Sequence, residues 1–254
     1  MSAQAKGALV ATGITRRYGG FNALEDVSFS VAPAERRALI GPNGAGKTTL
    51  FNILGGQTEA SSGRIEFDGE DITSLGAHKR ALLGLARTFQ RNNLFKGVSV
   101  FENVRLAVQA HTPHARDLMR PWASHRGIIE RAEQVVERLS LAPLAARMAG
   151  ELSYGDQRKL EIAMAVAWEP RVLLVDEPTA GMSPAETAEM VSVMAALPRT
   201  MSLVIVEHDM DVVAALADRM TVLQNGRIIA DGNWDEVRNS EIVQLAYMGA
   251  RKAG

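Results

Sequence analysis

An α/β fold, with an antiparallel β-subdomain beside a parallel sheet and an α-helical subdomain inserted into that core, is what this 254-residue chain predicts. Three observations carry the expectation. First, residues 37–40, 171–175 and 202–206 are apolar runs, each leaving through a polar or glycine-containing segment into a helical pattern, as buried parallel strands of βα units do. Second, residues 9–15, 23–31 and 63–67 alternate or gather β-formers between turn signals, which predicts antiparallel strands around the first βα unit. Third, Ile128, Ala132, Val135, Val136 and Leu139 fall on one face of an amphipathic helix. Residues 101–108 carry a similar, shorter stripe. Between the two, residues 111–127 are polar, hold Pro113 and Pro121, and read as a loop or irregular insertion. The expected organisation is one domain over residues 8–250: a core from 8–90 and 159–250, and a helical subdomain at 91–158.

Composition narrows what such a fold can do. Hydrophobic residues make up 46% and charged residues 22%, which supports a sizeable buried core and excludes general disorder. The 28 Lys and Arg against 29 Asp and Glu give a net charge of −1. That balance lacks the cationic surplus of a bulk grip on nucleic acid, and no nucleic-acid partner is expected. With no cysteine, disulfides, thiol catalysis and Cys-ligated zinc are excluded. The longest unbroken apolar run, residues 162–168, falls far short of the roughly 18 needed for a membrane-spanning helix. Residues 1–7 lack the apolar stretch of a secretory signal, so the chain is expected in the cytoplasm, reaching a membrane only through a partner.

The chemistry is concentrated after the first buried strand. Gly41, Pro42, Asn43, Gly44, Ala45, Gly46, Lys47 and Thr48 match G-x-x-x-x-G-K-[ST] in full, between a strand pattern and a helical one that opens with Thr49. Glycines let the backbone wrap so that N–H groups point inward, and the helix N-terminus adds positive potential. Gly41 through Thr49 are the candidate ATP contacts of a P-loop NTPase. Lys47 is placed to reach the β- and γ-phosphates, and Thr48 to offer its hydroxyl to Mg²⁺. A P-loop needs a carboxylate on the metal side, and residues 173–177 supply it at a strand's C-terminal end. Asp176 suits the Mg²⁺ shell, directly or through water; Glu177 could polarise an attacking water.

Residues 152–158, Leu-Ser-Tyr-Gly-Asp-Gln-Arg, resemble the signature motif of ATP-binding-cassette ATPases, usually written L-S-G-G-Q. Tyr18, Gln90 (within Arg87-Thr88-Phe89-Gln90) and His208 (within Val206-Glu207-His208-Asp209) stand in the order of that family's remaining motifs. The resemblance covers essentially the whole chain and implies a RecA-like P-loop core. It further implies that Tyr18 stacks on adenine and that Gln90 contacts Mg²⁺ and the attacking water. His208 would hold the γ-phosphate or that water, and Glu177 would act as general base or water-positioner. Ser153 and Gly155, opening the signature helix, would face the γ-phosphate on the P-loop of a second subunit. Two ATP molecules would then be sandwiched in a head-to-tail dimer, the second subunit being a paralogue or another copy. The chain departs from the family pattern at Tyr154, at Asp156, and at Ser183, where many members carry an aspartate that contacts the other subunit.

Those departures, with Ala86-Arg87-Thr88-Phe89-Gln90, residues 178–184 and the C-terminal Ala246-Tyr-Met-Gly249, are similar to branched-chain amino-acid uptake ATPases, specifically the larger of two paired subunits. That branch implies peripheral attachment to permease subunits at the cytoplasmic face of the plasma (inner) membrane. An extracytoplasmic solute-binding protein would act indirectly. Residues 90–96, with Leu94 and Phe95 in a polar setting, are the candidate permease contact. Relatives importing urea, amides or aromatic acids, and lipopolysaccharide-export ATPases, share many of these motifs. A ribosome- or nucleic-acid-associated cassette ATPase is the distant alternative. His111, His114 and His125 cluster without suitably spaced acids and read as loop histidines rather than a metal site. Met182, Met190, Met194 and Met201 read as core filling.

Overall fold

The structure, a computed structural model, describes residues 7–88, 94–112 and 125–251, with side chains up to residue 247. In chain order the elements are β1 (Leu9–Tyr18), β2 (Phe21–Val31), β3 (Arg36–Ile40), α1 (Lys47–Leu54), β4 (Ser62–Phe67) and β5 (Glu70–Asp71). Then come α2 (Ala77–Leu82), β6 (Leu85–Arg87), α3 (Val100–Ala110), α4 (Arg126–Arg138), α5 (Tyr154–Val166) and β7 (Val172–Asp176). The last part holds α6 (Pro184–Ala195), β8 (Ser202–Val206), α7 (Met210–Leu216), β9 (Arg219–Gln224), β10 (Arg227–Gly232), α8 (Trp234–Arg238) and α9 (Glu241–Arg251). The chain divides into two compact units. One comprises Met1–Arg87, Arg171–Pro178 and Pro198–Gly254, the other Thr88–Pro170 and Thr179–Leu197.

Both sheets belong to the first unit. Four strands in the order β2-β1-β4-β5 are antiparallel throughout. The other sheet runs β10-β9-β3-β8-β7-β6, parallel except for the β9–β10 hairpin. The α/β class is therefore as expected. Every position of β3, β7 and β8 is buried, which is why each reads as a continuous apolar run rather than an alternating one. Even Arg36 and Arg37 are buried on β3; Arg37 bonds Glu35 at 2.7 Å and Thr221 at 2.9 Å, and pairs with Asp231. One apolar core joins β1, β2 and β4 side chains to those of α1, β3, β7 and β8, among them Leu9, Phe29, Phe51, Ile65, Leu174 and Val206.

The second unit is helical. Ile128, Ala132, Val135, Val136 and Leu139 are all buried, as their spacing predicts. Arg126 and Gly127, expected in a loop, already belong to α4; residues 113–124 of that loop lie outside the described residues. Ser99 caps α3 by accepting from the Glu102 amide at 3.1 Å. Met190, Met194 and Met201 are buried, while Met182 is only half-buried. Among the described residues no helix is long and apolar enough to cross a membrane.

Candidate nucleotide site

The site in the first unit begins where β3 runs out. Gly41, Gly44 and Gly46 have φ of 146°, 76° and 105°, so the chain winds through conformations that L side chains rarely adopt. At Gly41 space is also decisive, because a Cβ there would sit 2.0 Å from the Leu223 carbonyl oxygen. Gly46 caps α1 in the left-handed conformation and no side chain caps the helix, so no side chain competes with an anion for its first-turn N–H groups. The β9–β10 turn braces the loop, with the Gly226 amide donating to the Ala45 carbonyl at 2.9 Å.

Lys47 is 6% exposed, and its Nζ donates to the carbonyls of Gly41 at 2.8 Å and Pro42 at 3.0 Å. Burial pushes its pKa down, while the negative fields of Glu177 and Asp176 oppose the shift. The loop thus folds back on its own ammonium, which is held where an incoming phosphate can replace two carbonyls as acceptor. Asn43, Gly44 and Thr48 are exposed, and Pro42, Gly46 and Thr49 half-buried.

Asp176 is the last residue of β7 and 4% exposed; the Arg87 guanidinium donates to its Oδ2 at 3.2 Å. Glu177 follows with φ of 45°, its amide donating to the Val206 carbonyl at 2.9 Å, which turns its side chain out of the strand's alternation. His208 leaves β8 nearby, its Nε2 2.9 Å from Glu177 Oε1, and both side chains stay substantially exposed. Glu207 is buried and takes the His208 amide at 3.0 Å; Asp209 caps α7 through the Asp211 amide at 2.9 Å. In the run Glu-His-Asp, His208 is the member whose side chain stands beside Glu177.

Tyr18 ends β1 with about half its surface exposed, and the Arg16 guanidinium lies 4.5 Å from its ring centroid. Arg16 is anchored in turn on the Glu59 carbonyl at 2.9 Å. Gln90 lies outside the described residues. The Thr48 hydroxyl and the Asp176 carboxylate are, among the described residues, the oxygens that the sequence motifs assign to a metal. Among the described residues no group of three or more His, Cys, Asp and Glu could hold a metal. This all-oxygen, sparse donor set fits Mg²⁺, which keeps its waters and binds through one or two carboxylates plus substrate phosphates.

In the second unit, Ser153 caps α5. Its Oγ accepts from the Asp156 amide at 3.1 Å and donates to the Asp156 carboxylate at 2.8 Å. The acid at 156 is neutralised by Lys159, 2.6 Å away, which also bonds Glu189 at 2.8 Å. Gly155 faces Glu186, whose Oε1 would stand 3.2 Å from an added Cβ. Ser183 forms a capping box with Glu186 at the start of α6, its amide donating to Glu186 Oε2 at 2.9 Å. Phe95 is exposed, as a contact residue requires, but Leu94 is buried.

Two residues at the site carry structural weight that their motifs do not announce. Arg87 is the buried partner of Asp176; the sequence shows it only as part of the motif Ala86-Arg87-Thr88-Phe89-Gln90, which gives no sign of that pairing. Tyr247, which the sequence shows only as part of a C-terminal motif, hydrogen-bonds the Gly41 backbone; burial raises its phenol and that bond opposes the rise.

The family described as ABC transporter matches residues 24–180. The high-affinity branched-chain amino acid transport ATP-binding protein BraF of Pseudomonas aeruginosa is 39% identical over 95% of this chain and 97% of its own length. The corresponding LivG of Escherichia coli is 37% identical over the same shares. The crystal structure of the ADP conformation of MJ1267, an ATP-binding cassette of an ABC transporter, superposes with a TM-score of 0.80 at 32% identity, covering 95% of this chain and 98% of that one. With a full P-loop, a buried strand-end aspartate and a Glu–His pair beside it, the chain belongs to the ABC transporter family, as an ATP-binding subunit.

Proposed function

We propose that this chain hydrolyses ATP with Mg²⁺ to drive uptake of branched-chain or closely related amino acids. The observation that carries the hydrolytic reading is the 2.9 Å contact of Glu177 with His208, in the same unit as the buried P-loop lysine. The substrate class rests on relatives named as branched-chain amino acid transport ATP-binding proteins, 37–39% identical over 95% of the chain.

In this mechanism Tyr18 stacks on adenine with Arg16 against its ring. Gly41 to Thr49 hold the phosphates through backbone N–H groups, and Lys47 exchanges its two carbonyl acceptors for β- and γ-phosphate oxygens. Thr48, Asp176 and Gln90 are the groups that would hold Mg²⁺, which neutralises charge developing on the phosphates. Glu177 accepts a proton from water as the water oxygen attacks the γ-phosphorus. The bond from that phosphorus to the β–γ bridging oxygen breaks, so that ADP leaves with the bridging electron pair and inorganic phosphate is released. His208 orients the Glu177 carboxylate and the γ-phosphate. Ser153 and Gly155 supply the anion-binding helix end to the ATP of a second ATPase subunit. The working unit is one domain over residues 8–250, its helical part at 91–158. It sits peripherally at the cytoplasmic face of the inner membrane, docked on permease subunits fed by an extracytoplasmic solute-binding protein.

The test is uptake of labelled leucine, isoleucine and valine by cells carrying the chain with its permease subunits. Wild type should accumulate them and the Glu177→Gln variant should not. Uptake of urea, amides or aromatic acids in place of these would reassign the substrate.

A further inference from the structure

Arg87 is unusual for a surface-strand cation, because its side chain is 7% exposed although it ends β6, the edge strand of the parallel sheet. Its guanidinium is gripped from α1 and the turn after it. Nη1 donates to Asn52 Oδ1 at 2.8 Å and to Gln57 Oε1, and the group lies 4.9 Å from the Phe51 ring centroid. Gly55 leaves the room for this, since a Cβ there would come within 3.0 Å of Arg87 Cδ. The remaining arm, Nη2, donates to Asp176 Oδ2 at 3.2 Å, and Nε is buried without a partner among the described residues.

Burying a guanidinium is costly, and leaving one of its N–H groups unpaired adds to the cost. Replacing a buried ion pair with apolar filling is often neutral or stabilising, so packing alone does not account for an arginine there. What the arginine provides is a rigid planar fork that ties the carboxylate ending β7 to the body of α1, the helix whose first turn carries Lys47 and Thr48.

We propose that Arg87 is a positioning residue for the metal side of the nucleotide site: it fixes the Asp176 carboxylate relative to α1 in the geometry that Mg²⁺·ATP requires. The inference rests on the reading of Asp176 as the Mg²⁺-side carboxylate. The bond to Asp176 Oδ2 restricts that side chain before nucleotide arrives, which lowers the ordering cost of metal binding. Lysine cannot bridge Asp176 and Asn52 in the same way, being a point charge rather than a fork.

The experiment follows binding of a fluorescent ATP analogue to the full chain, first in EDTA and then during Mg²⁺ titration. In Arg87→Met the half-saturating Mg²⁺ concentration should rise about tenfold or more, the range for loss of a group that orients a metal ligand. Arg87→Lys should fall between, and binding in EDTA should stay within about twofold of wild type for both. Asn52→Ala, which keeps the cation but removes its amide anchor, should shift the Mg²⁺ requirement in the same direction by less. It serves as the test if Arg87→Met does not fold. Equal losses with and without Mg²⁺ would reduce Arg87 to packing and overturn the inference. An unchanged or lowered Mg²⁺ requirement would overturn it also. If wild-type binding ignores Mg²⁺, the metal reading of Asp176 fails and the inference falls with it.

Discussion

Asp176 and Glu177 are adjacent carboxylates whose backbones commit them to different work. Asp176 keeps strand geometry and points into protein, 4% exposed and tied to Arg87. One residue later φ becomes 45°, a conformation costing a non-glycine residue about 1–3 kcal/mol, and the Glu177 side chain emerges beside His208. Strain of that size at a strand end persists because the Glu177 amide is bound to Val206 and the flanking strands are buried throughout. Glu177→Gln keeps shape, φ and the contact with His208 but removes the proton acceptor. Steady-state phosphate release should therefore fall by about 10²–10⁴-fold, the usual contribution of a positioned general base. ATP affinity and the thermal midpoint should hardly move. A rate within about threefold of wild type would assign the proton to another group.

At the scale of elements, α1 is finished differently at its two ends. Its N-terminus is left to glycines, while Arg80 closes the C-terminus, donating from Nη1 to the carbonyls of Ile53 and Leu54 at 2.7 Å each. Nε and Nη2 of the same residue bond the Leu75 carbonyl at 2.7 Å and that of Thr73 at 3.1 Å. Burial pushes Arg80 down to about 10, which leaves it charged at neutral pH and so complementary to the helix dipole. Arg80→Met should cost about 2–4 kcal/mol in denaturant unfolding, because four carbonyls lose a charged donor. Ser183 makes a second case. Its capping box with Glu186 explains a serine at that position within this chain, so Ser183→Ala should lose about 1 kcal/mol and Ser183→Asp, an equally good cap, less than about 0.5 kcal/mol. The buried strands and the P-loop were legible because few folded environments besides a covered parallel strand and a phosphate loop call for a full apolar run or a spaced glycine-lysine motif. Arg80 and Arg87 were not, since a single arginine in a short helix or a three-residue strand has the same local pattern whether solvated or buried. The α4 stripe was legible to its last residue; the start of α4 was not, because Arg126 and Gly127 carry no stop signal against the polar segment before them.

For the whole molecule, the chain passes from one compact unit to the other directly after Arg87 and again directly after Pro178, one residue beyond Glu177. Asp176 and Glu177 stand just before the second of these crossings, the P-loop and His208 lie well inside the first unit, and Ser153 and Gly155 belong to the other unit, at the start of α5. On the proposed reading those two residues complete the ATP site of a second subunit, so a lone chain holds half of each site. On that reading bound ATP decides whether two copies stay together, and a net charge of −1 opposes them little. Glu177→Gln should be monomeric without nucleotide near its 27.4 kDa mass, and double that mass with ATP and Mg²⁺ in size-exclusion chromatography with light scattering. Adding Ser153→Asp keeps a good helix cap but sets a carboxylate against the γ-phosphate, so the double variant should bind ATP and remain monomeric. Dimerisation by the double variant would remove Ser153 from the second subunit's site. If Glu177→Gln binds ATP and never dimerises, the second ATPase subunit is a paralogue rather than another copy, and mixing with that paralogue should restore the doubled mass.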